Sequence, residues 1–302
     1  MGICKDWLIL DWNVRGLNSL DKCMSIRSIL NNRAISIICF QETKRDHFDR
    51  SAYRRFAPMR FDQFVFYPSS SSTGGTFIGW VGSLFSGKLI SLAAFQMMIE
   101  FTSKLNGHTW LLTSVYGPCQ NPECSLFINW LLSFQILALS NWMFLGNFNL
   151  YRSASNRNKP GANVRDMALF NNTISSAGLL EIPLQDKNYT WSNMRSNSLL
   201  VQLDWCFTSP NWSSVYPMTS FNALPRSITD HCPCLLQIGT SIPKASIFCF
   251  ENFWYELPGF FDLVDASCNK PLFIQNPTIR MAAKLIRLST ELRRWCSKNR
   301  VH

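Results

Sequence analysis

The stretch LILDWNVRGLNSLDKCMSIRSILNNRAISIICFQE, residues 8–42, decides the fold class of this chain. Its first apolar run, Leu8–Val14, predicts a β-strand that ends in a turn at Gly16. Apolar residues at helical spacing predict a helix over Asp21–Asn31, and the strand formers of Ile35–Phe40 predict a buried strand. A strand, a helix and a strand in succession indicate an architecture of α and β layers.

More strands than helices follow, up to about residue 240. The further predicted strands are Thr76–Val81, Leu89–Ala94, Met97–Phe101, Thr109–Tyr116, Trp142–Phe148, Leu199–Thr208 and Cys234–Ile238. The further predicted helices are Phe127–Leu139 and Asp166–Ala177. Such a pattern, without any repeat period, predicts two mixed β-sheets packed face to face with helices outside. The expected fold class is α/β (α+β), a four-layer α/β/β/α sandwich of two mixed sheets flanked by helices.

The composition is that of a folded, basic chain. Of the 302 residues, 47% are hydrophobic and 14% are aromatic, which excludes a disordered polar chain. The formal net charge of +10 favours polyanionic partners, because lysine and arginine gain affinity by neutralising phosphates. A basic protein without such a partner is the alternative that charge alone leaves open.

Cysteine spacing and the length of apolar runs indicate in which cellular compartment the protein is found. The 11 cysteines include no Cys-x-x-Cys pair, which predicts free thiols and neither a zinc site nor a disulfide framework. The apolar run at the N-terminus is too short for a secretory signal. Polar residues interrupt the apolar segment 128–145, which predicts a buried helix and strand, not a membrane span. We therefore expect an intracellular protein that is not secreted and has no membrane partner.

Six short polar segments follow predicted strands. They contain Asn13, Glu42, Tyr116, Asn147 with Asn149, Asp204, and Asp230 with His231. Polar side chains at strand ends can meet at one rim of a sheet sandwich, where loops on a rigid scaffold carry function. Each segment alone is weak evidence, since an isolated Asp-His pair is more often structural than catalytic. Their order, spacing and neighbours together are far more specific.

Those neighbours carry a resemblance to a known superfamily. In order, the motifs NVRGLN, QET, VYGP, GNFN, TWSN, LD and DHCP resemble those of the endonuclease/exonuclease/phosphatase (exonuclease III-like) superfamily. The variant resembles the endonuclease domain of plant LINE-type non-LTR retrotransposons, over roughly residues 8–240. The resemblance implies a phosphodiesterase that nicks DNA with Mg²⁺ or Mn²⁺, in a nuclear protein that is a monomer.

The resemblance also implies a metal site beside an Asp-His pair. Glu42 and Asn13 would belong to the metal site, with Asp230 close to the ion, and oxygen ligands of this kind suit Mg²⁺. By the same resemblance, His231 would contact the phosphate, and Asp204 would fix the tautomer of its ring.

Other side chains are expected to contact the phosphate or the DNA. The resemblance gives Tyr116 and Asn149 hydrogen bonds to the phosphate and places the hydroxyl groups of Thr190 and Thr229 near it. Lys44 and Arg45 begin a basic segment after the Glu42 strand that could hold the DNA backbone. A solvated helix or loop is the alternative for that segment.

The chain departs from the family at position 147. The family motif reads Gly-Asp-Phe-Asn, and this chain has Asn147 in place of the aspartate that is credited with orienting or deprotonating the attacking water. An amide is nearly the same size as a carboxylate but cannot accept a proton at neutral pH. Loss of a positioned general base lowers a rate about 10²–10⁴-fold, so we expect impaired activity.

The chain is expected to contain two parts. Residues 1–240 are predicted to form the nuclease-like domain. Residues 241–302 contain the aromatic segment FENFWYELPGFFDLV and a basic helix predicted from about Thr278 to Lys298. That tail resembles the segment that precedes the reverse transcriptase in plant elements.

Two other functions remain open on the sequence. Asn147 also fits a catalytically inactive, transposon-derived relic that binds nucleic acid without cleaving it. The same fold serves phosphomonoesterases that act on lipids or small molecules, although the TWSN and FENFW motifs favour the nuclease.

Overall fold

The computed structural model describes residues 3–70, 74–119, 123–134, 136, 139–242, 250, 252–272 and 277–299. The chain divides into two compact units, Met1–Pro243 and Lys244–His302. In its described part, no helix is both long enough and apolar enough to cross a membrane.

The first unit contains all the strands and five helices of the described residues. The strands are β1 (Ile3–Asn13), β2 (Ile35–Gln41), β3 (Gln63–Tyr67), β4 (Thr76–Trp80), β5 (Phe85–Ala93), β6 (Gln96–Ser103), β7 (Thr109–Tyr116), β8 (Trp142–Asn147), β9 (Leu180–Glu181), β10 (Leu184–Gln185), β11 (Trp191–Ser192), β12 (Leu200–Val201), β13 (Asp204–Thr208), β14 (Ser220–Ala223) and β15 (Cys234–Ile242). The helices are α1 (Leu20–Asn31), α2 (Arg50–Phe56), α3 (Glu123–Leu132), α4 (Val164–Ser176) and α5 (Pro210–Val215), with a short 3-10 helix at Ala154–Asn156.

Two mixed sheets form the centre of this unit. The first has the strand order β10-β14-β15-β1-β2-β4-β3, and the second has the order β5-β6-β7-β8-β13-β9. A separate two-stranded ribbon joins β11 to β12. In the first sheet, β1 runs parallel to β2 and antiparallel to β15. In the second, β8 runs parallel to β7 and antiparallel to β13.

Three apolar clusters define four layers. Between the sheets, buried residues such as Trp7, Ile37 and Leu145 pack together. The outer face of the first sheet packs against α1 and α2, with Leu30 and Phe56 in the contact. The outer face of the second sheet packs against α3 and α4 through side chains such as those of Phe127 and Phe170. These layers confirm the predicted α/β/β/α sandwich of two mixed sheets.

Sequence chemistry explains why the central strands form here. Every residue of β2, with the sequence ISIICFQ, is buried, as expected of a strand covered on both faces. Helix α2 was not predicted as a separate element, yet Asp49 caps it by accepting a hydrogen bond from Ala52 N at 2.6 Å. The helix packs the Tyr53 and Phe56 rings against the first sheet.

Most predicted elements differ from the structure by a few residues at their ends, and two of them differ further. The predicted strand Leu199–Thr208 is divided into β12 and β13, because Thr190 Oγ1 accepts hydrogen bonds from Leu203 N at 3.1 Å and Asp204 N at 3.2 Å. Helix α3 begins at Glu123 and ends at Leu132, and the C-terminal part of the predicted helix Phe127–Leu139 lies partly outside the described residues. The Ser133 hydroxyl donates to Trp130 O at 2.6 Å at the end of α3.

The second unit is a helical hairpin with its own small core. It contains a short 3-10 helix at Asn252–Glu256, then α6 (Phe260–Asn269) and α7 (Pro277–Asn299). Trp254, Phe260 and Leu292 form its buried apolar cluster. The predicted basic helix corresponds to α7.

Two basic side chains of α7 have partners within this unit. Lys284 Nζ donates to Cys268 O at 2.8 Å, and Arg287 Nη2 donates to Ser267 O at 2.8 Å. These carbonyls lie at the C-terminal end of α6, where cations are favoured. This part of the basic face therefore stabilises the hairpin.

Candidate active site

Strand register gathers the polar side chains of the second sheet at one edge. Tyr116 at the end of β7 lies opposite Asn147 at the end of β8. Asp204 at the start of β13 lies opposite Asn147 on its other side. Parallel and antiparallel pairing thus places the side chains of Tyr116, Asn147 and Asp204 next to one another on adjacent strands.

The first sheet contributes the second row of polar side chains. Asn13 at the end of β1 is the register partner of Gln41 at the end of β2, and Glu42 follows directly. Asp230 and His231 lie just before β15, the strand that pairs with β1. In that pairing, Cys234 of β15 is the register partner of Asp11 of β1. The predicted residues therefore come from both sheets to one rim.

Close backbone packing at this rim requires glycine. Gly146 has a φ of +145°, and a Cβ there would lie 2.1 Å from Val115 O. A Cβ at Gly117 would lie 2.2 Å from Phe148 O. Because real Cβ atoms do not approach oxygen so closely, these two glycines let the ends of β7 and β8 lie side by side.

Backbone strain is concentrated at the same rim. Of the six non-glycine residues with positive φ among the described residues, four are Arg15, Glu42, Lys44 and Asn149. Each such conformation costs on the order of 1–3 kcal/mol and is found mainly where function requires it. Two of them, Arg15 and Glu42, carry charges that meet at the rim.

His231 stands at the centre of a buried hydrogen-bond network. Its side chain is 3% exposed, and its Nδ1 lies 3.0 Å from Asp204 Oδ2. Its Nε2 lies 3.4 Å from Asn147 Nδ2. Because a carboxylate accepts and an amide nitrogen donates, the ring carries its proton on Nδ1 and presents the Nε2 lone pair to Asn147.

The orientation of the Asn147 amide follows from its other contact. Asn147 Oδ1 accepts a hydrogen bond from Asn149 N at 2.9 Å, so the amide nitrogen faces His231. Asn149 Nδ2 in turn donates to Gly117 O at 2.7 Å. Asn147 therefore acts as a donor at the position where the family motif has an acceptor.

Thr190 and Thr229 have structural partners. The hydroxyl of the fully buried Thr190 accepts from two backbone N–H groups beside Asp204. Thr229 Oγ1 accepts from Trp12 Nε1 at 3.1 Å and from His231 N at 3.1 Å. These contacts tie the loop before β15 to β1 and fix the backbone of His231, so we propose a supporting role for both threonines.

Glu42 and Asp230 form the second cluster of the site, with Arg15 between them. Arg15 Nη1 lies 2.6 Å from Asp230 Oδ2, and Arg15 Nε lies 3.7 Å from Glu42 Oε2. Partial burial lowers the pKa of the Arg15 guanidinium, but the charges of Asp230 and Glu42 outweigh this effect and raise the pKa. The guanidinium therefore neutralises both carboxylates.

Asn13 and Tyr116 complete the surroundings of Glu42. Asn13 Nδ2 donates to Glu42 Oε1 at 2.8 Å, while Asn13 Oδ1 accepts from Arg15 N at 3.2 Å. Burial raises the pKa of Tyr116 above its ordinary value, and the charge and hydrogen bond of Glu42 raise it further. The phenol thus keeps its proton and can act as a donor.

Three residues at or beneath the rim were not predicted as site residues. Arg15 is part of the NVRGLN motif, but the sequence does not show which side chains it contacts. Trp191 donates from Nε1 to Asp230 Oδ2 at 2.9 Å. Asp11 interrupts an apolar strand, which is a sequence signal for a special role, and it accepts from Gln41 Nε2 at 2.7 Å.

Asp11 lies buried behind the His231 network. Burial raises its pKa well above the ordinary 3.8, the charge of Asp204 raises it further, and the bond from Gln41 lowers it. Asp11 Oδ2 and Asp204 Oδ1 are both buried and have no hydrogen-bond partner among the described residues. Two carboxyl groups thus interact beneath the rim.

Lys44 and Arg45 lie near the rim without a direct contact to its carboxylates among the described hydrogen bonds and ion pairs. Lys44 O accepts from Asn18 Nδ2 at 3.2 Å. The Arg45 guanidinium lies 5.5 Å from the centre of the Phe48 ring and donates to Asn18 Oδ1 at 3.4 Å. Contact of these two side chains with DNA is a proposal.

The donor set at this rim fits a small hard cation. Glu42 and Asp230 offer carboxylate oxygens, and Asp230 Oδ1 is buried without a hydrogen-bond partner among the described residues. No group of three or more His, Cys, Asp or Glu side chains able to hold a metal ion occurs in the described part of the chain. Mg²⁺ needs only one or two carboxylates, because it keeps several water ligands.

Comparison with known proteins identifies the fold. The chain matches no protein-family model, and no curated protein matches its sequence. Its structure is similar to an AP endonuclease from Leishmania major, with a TM-score of 0.62 and 16% identity over 79% of this chain and 89% of that one. It is similar to a 3′ phosphatase from Neisseria bound to a product DNA hairpin, with a TM-score of 0.58 and 18% identity over 77% and 99%.

A third structure is the endonuclease domain of TRAS1, a telomere-specific non-LTR retrotransposon. Its TM-score is 0.56, with 13% identity over 77% of this chain and 98% of that one. At such low identities the similarity concerns the fold. The chain therefore has the fold seen in exonuclease III-like nucleases, a retrotransposon endonuclease among them, as its motifs predicted.

Proposed function

We propose that this chain is a retrotransposon-derived DNA endonuclease of the endonuclease/exonuclease/phosphatase superfamily that nicks a phosphodiester bond with Mg²⁺, and that Asn147 impairs it. The observation that carries the proposal is the buried contact of His231 Nδ1 with Asp204 Oδ2 at 3.0 Å beside the Glu42 and Asp230 carboxylates. This combination of a fixed imidazole and two oxygen ligands suits phosphodiester hydrolysis.

The proposed reaction adds water across a phosphorus–oxygen bond of DNA and yields a phosphate and a free hydroxyl. Mg²⁺ bound by Glu42 and Asp230 would supply charge neutralisation at the phosphate. Tyr116 keeps its proton and can donate to a phosphate oxygen, as can the amide of Asn149. His231, with its ring held by Asp204, would contact the phosphate in its doubly protonated form, in which both ring nitrogens are donors.

Asn147 is the weak point of this arrangement. The attacking water must lose a proton, and an amide cannot accept it at neutral pH. Moreover, Asn147 Nδ2 faces His231 Nε2 at 3.4 Å, so the side chain occupies the lone pair of that ring nitrogen. We therefore propose that the native chain nicks DNA slowly.

A plasmid-nicking assay with Mg²⁺ tests the proposal on the full chain and on Asn147→Asp. The carboxylate restores a proton acceptor, and we expect nicking to rise about 10²–10⁴-fold. The matched control is the double variant Asn147→Asp with Glu42→Gln, which should nick no faster than the native chain. An Asn147→Asp protein that is folded and nicks no plasmid contradicts the catalytic assignment.

A second function has its own support. The donor contact of Asn147 with His231 also fits an inactive relic that binds nucleic acid without cleaving it. Such a relic would bind DNA with an affinity that falls steeply with salt, because its contacts would be to phosphates. Salt-dependent binding without metal-dependent cleavage, in both the native chain and Asn147→Asp, favours this function.

We also propose that the Lys244–His302 unit derives from the segment that precedes a reverse transcriptase. Two aromatic residues of its sequence motif, Trp254 and Phe260, are buried in the small core of this unit.

A further inference from the structure

We infer that Arg15 is a tethered counter-cation that competes with the divalent ion for Glu42 and Asp230, and so sets the ion concentration that this chain requires. The inference rests on the proposed function, because it takes these two carboxylates as the ion's ligands. It concerns a side chain that has no assigned role in the proposed reaction.

The guanidinium occupies the space where the two carboxylates converge. Its Nη1 lies 2.6 Å from Asp230 Oδ2 and its Nε lies 3.7 Å from Glu42 Oε2. The two acids are only 15% and 12% exposed, so few other directions of approach are open to a cation. An ion that binds both carboxylates would lie next to the guanidinium, and the repulsion between the two positive charges disfavours occupancy of the site by both.

The backbone of Arg15 is fixed, while its partly exposed side chain extends from that anchor to the two carboxylates. Arg15 N donates to Asn13 Oδ1 at 3.2 Å, and Arg15 O accepts from Lys22 Nζ at 3.0 Å. The side chain as a whole is 44% exposed. A long side chain on such an anchor can leave the carboxylates for solvent without unfolding the rim.

A tethered cation competes at a high effective concentration. Because Arg15 is covalently attached beside its acceptors, it needs no translational freedom to bind them, whereas the ion does. A charge-assisted hydrogen bond of this kind contributes free energy that is reduced by solvent at a half-exposed group. Removing the charge should therefore lower the dissociation constant of the ion about 5–30-fold.

The test is titration of the full chain with Mn²⁺ alone, without DNA, followed by electron paramagnetic resonance. Arg15→Gln should bind Mn²⁺ about 5–30-fold more tightly than the native chain. Arg15→Lys keeps the charge but loses the planar fork, so its dissociation constant should lie between those two values. Lys88→Gln, an exposed charge on β5, is the matched control and should leave the dissociation constant unchanged.

Glu42→Gln separates this inference from the proposed function. If Glu42→Gln abolishes Mn²⁺ binding and Arg15→Gln does not tighten it, the competition is refuted and the proposed metal site stands. If Glu42→Gln binds Mn²⁺ like the native chain, the metal site and the competition both fail. Thermal melting in the presence of a chelator shows whether each variant is folded. If Arg15→Gln is not folded, the dissociation constant of Mn²⁺ for Arg15→Lys tests the competition instead.

Discussion

The candidate site has two halves that hold their carboxylates in different ways. In the buried half, His231 is 3% exposed and is held between Asp204 and Asn147 by hydrogen bonds from neighbouring strands. In the open half, Glu42 and Asp230 are neutralised by Arg15, a side chain that is 44% exposed.

This difference means that the partners of His231 are fixed by the fold, whereas the cation beside Glu42 and Asp230 can be exchanged. The partners of His231 lie on strand ends whose register cannot change without unfolding the sheet. Arg15, in contrast, reaches Glu42 and Asp230 with a side chain that is 44% exposed, and this side chain can give way to another cation. Changes in the buried half should therefore alter catalysis and stability, whereas a change at Arg15 should alter ion binding.

The largest expected effect comes from removing the imidazole. In the Asn147→Asp background, His231→Ala should lower the rate of plasmid nicking about 10²–10³-fold, the usual loss when one contact to the charge that develops in the transition state is removed. The same background with Lys88→Gln serves as control and should nick at its usual rate. Nicking that survives His231→Ala to within a few-fold would show that the buried half does not contribute to catalysis.

The next largest effect is expected from the loss of Asp204, the hydrogen-bond partner of His231 Nδ1. Asp204→Ala leaves the Nδ1–H group buried without its acceptor, and the free energy of unfolding should fall by about 1–3 kcal/mol. Urea unfolding measures this change. Asp46→Ala, at an exposed position, is the control and should shift the free energy by less than about 0.5 kcal/mol. Equal effects of the two substitutions would mean that the pair is not a structural element.

The substitution Asp11→Asn is expected to raise the free energy of unfolding at pH 7. Because burial and the charge of Asp204 raise its pKa above 3.8, the folded chain keeps this proton at pH values where the unfolded chain has lost it. The stability from this group is complete below about pH 3.8 and is lost as the pH rises toward the folded-state pKa.

Asp11→Asn should therefore be more stable than the native chain at pH 7, and the difference should shrink as the pH falls toward 4. The amide keeps an acceptor for Gln41 and carries no charge beside Asp204. Urea unfolding at a series of pH values measures the difference. A variant that is less stable at pH 7 would show that the buried charge is compensated.

The smallest effect is expected at Trp191, whose backbone pairs with that of His231 and whose indole contacts Asp230. Trp191→Phe removes the N–H that Asp230 accepts at 2.9 Å and keeps an aromatic ring in place. The free energy of unfolding should fall by about 1 kcal/mol, measured with urea. An unchanged value would mean that Arg15 alone is enough to hold Asp230.

Much of the fold was predictable because the strands have strong local patterns. The prediction Thr109–Tyr116 coincides with β7, and Trp142–Phe148 differs from β8 by one residue. The division of the predicted strand Leu199–Thr208 was not predictable, since it depends on the Thr190 hydroxyl, 13 and 14 residues before the two N–H groups that it binds. Short strands such as β9 and β10 have too few residues to show a period.

The sequence by itself determined the residue types of the candidate site and showed that the side chain at position 147 is no proton acceptor at neutral pH, because an amide is none in any fold. It also determined that these residues follow strands. Only the tertiary structure decided that Arg15 meets Asp230, 215 positions away in the chain, and that Asp11 faces Asp204. Electrostatic interaction depends on distance in space, and the packing of two sheets sets that distance independently of separation along the chain.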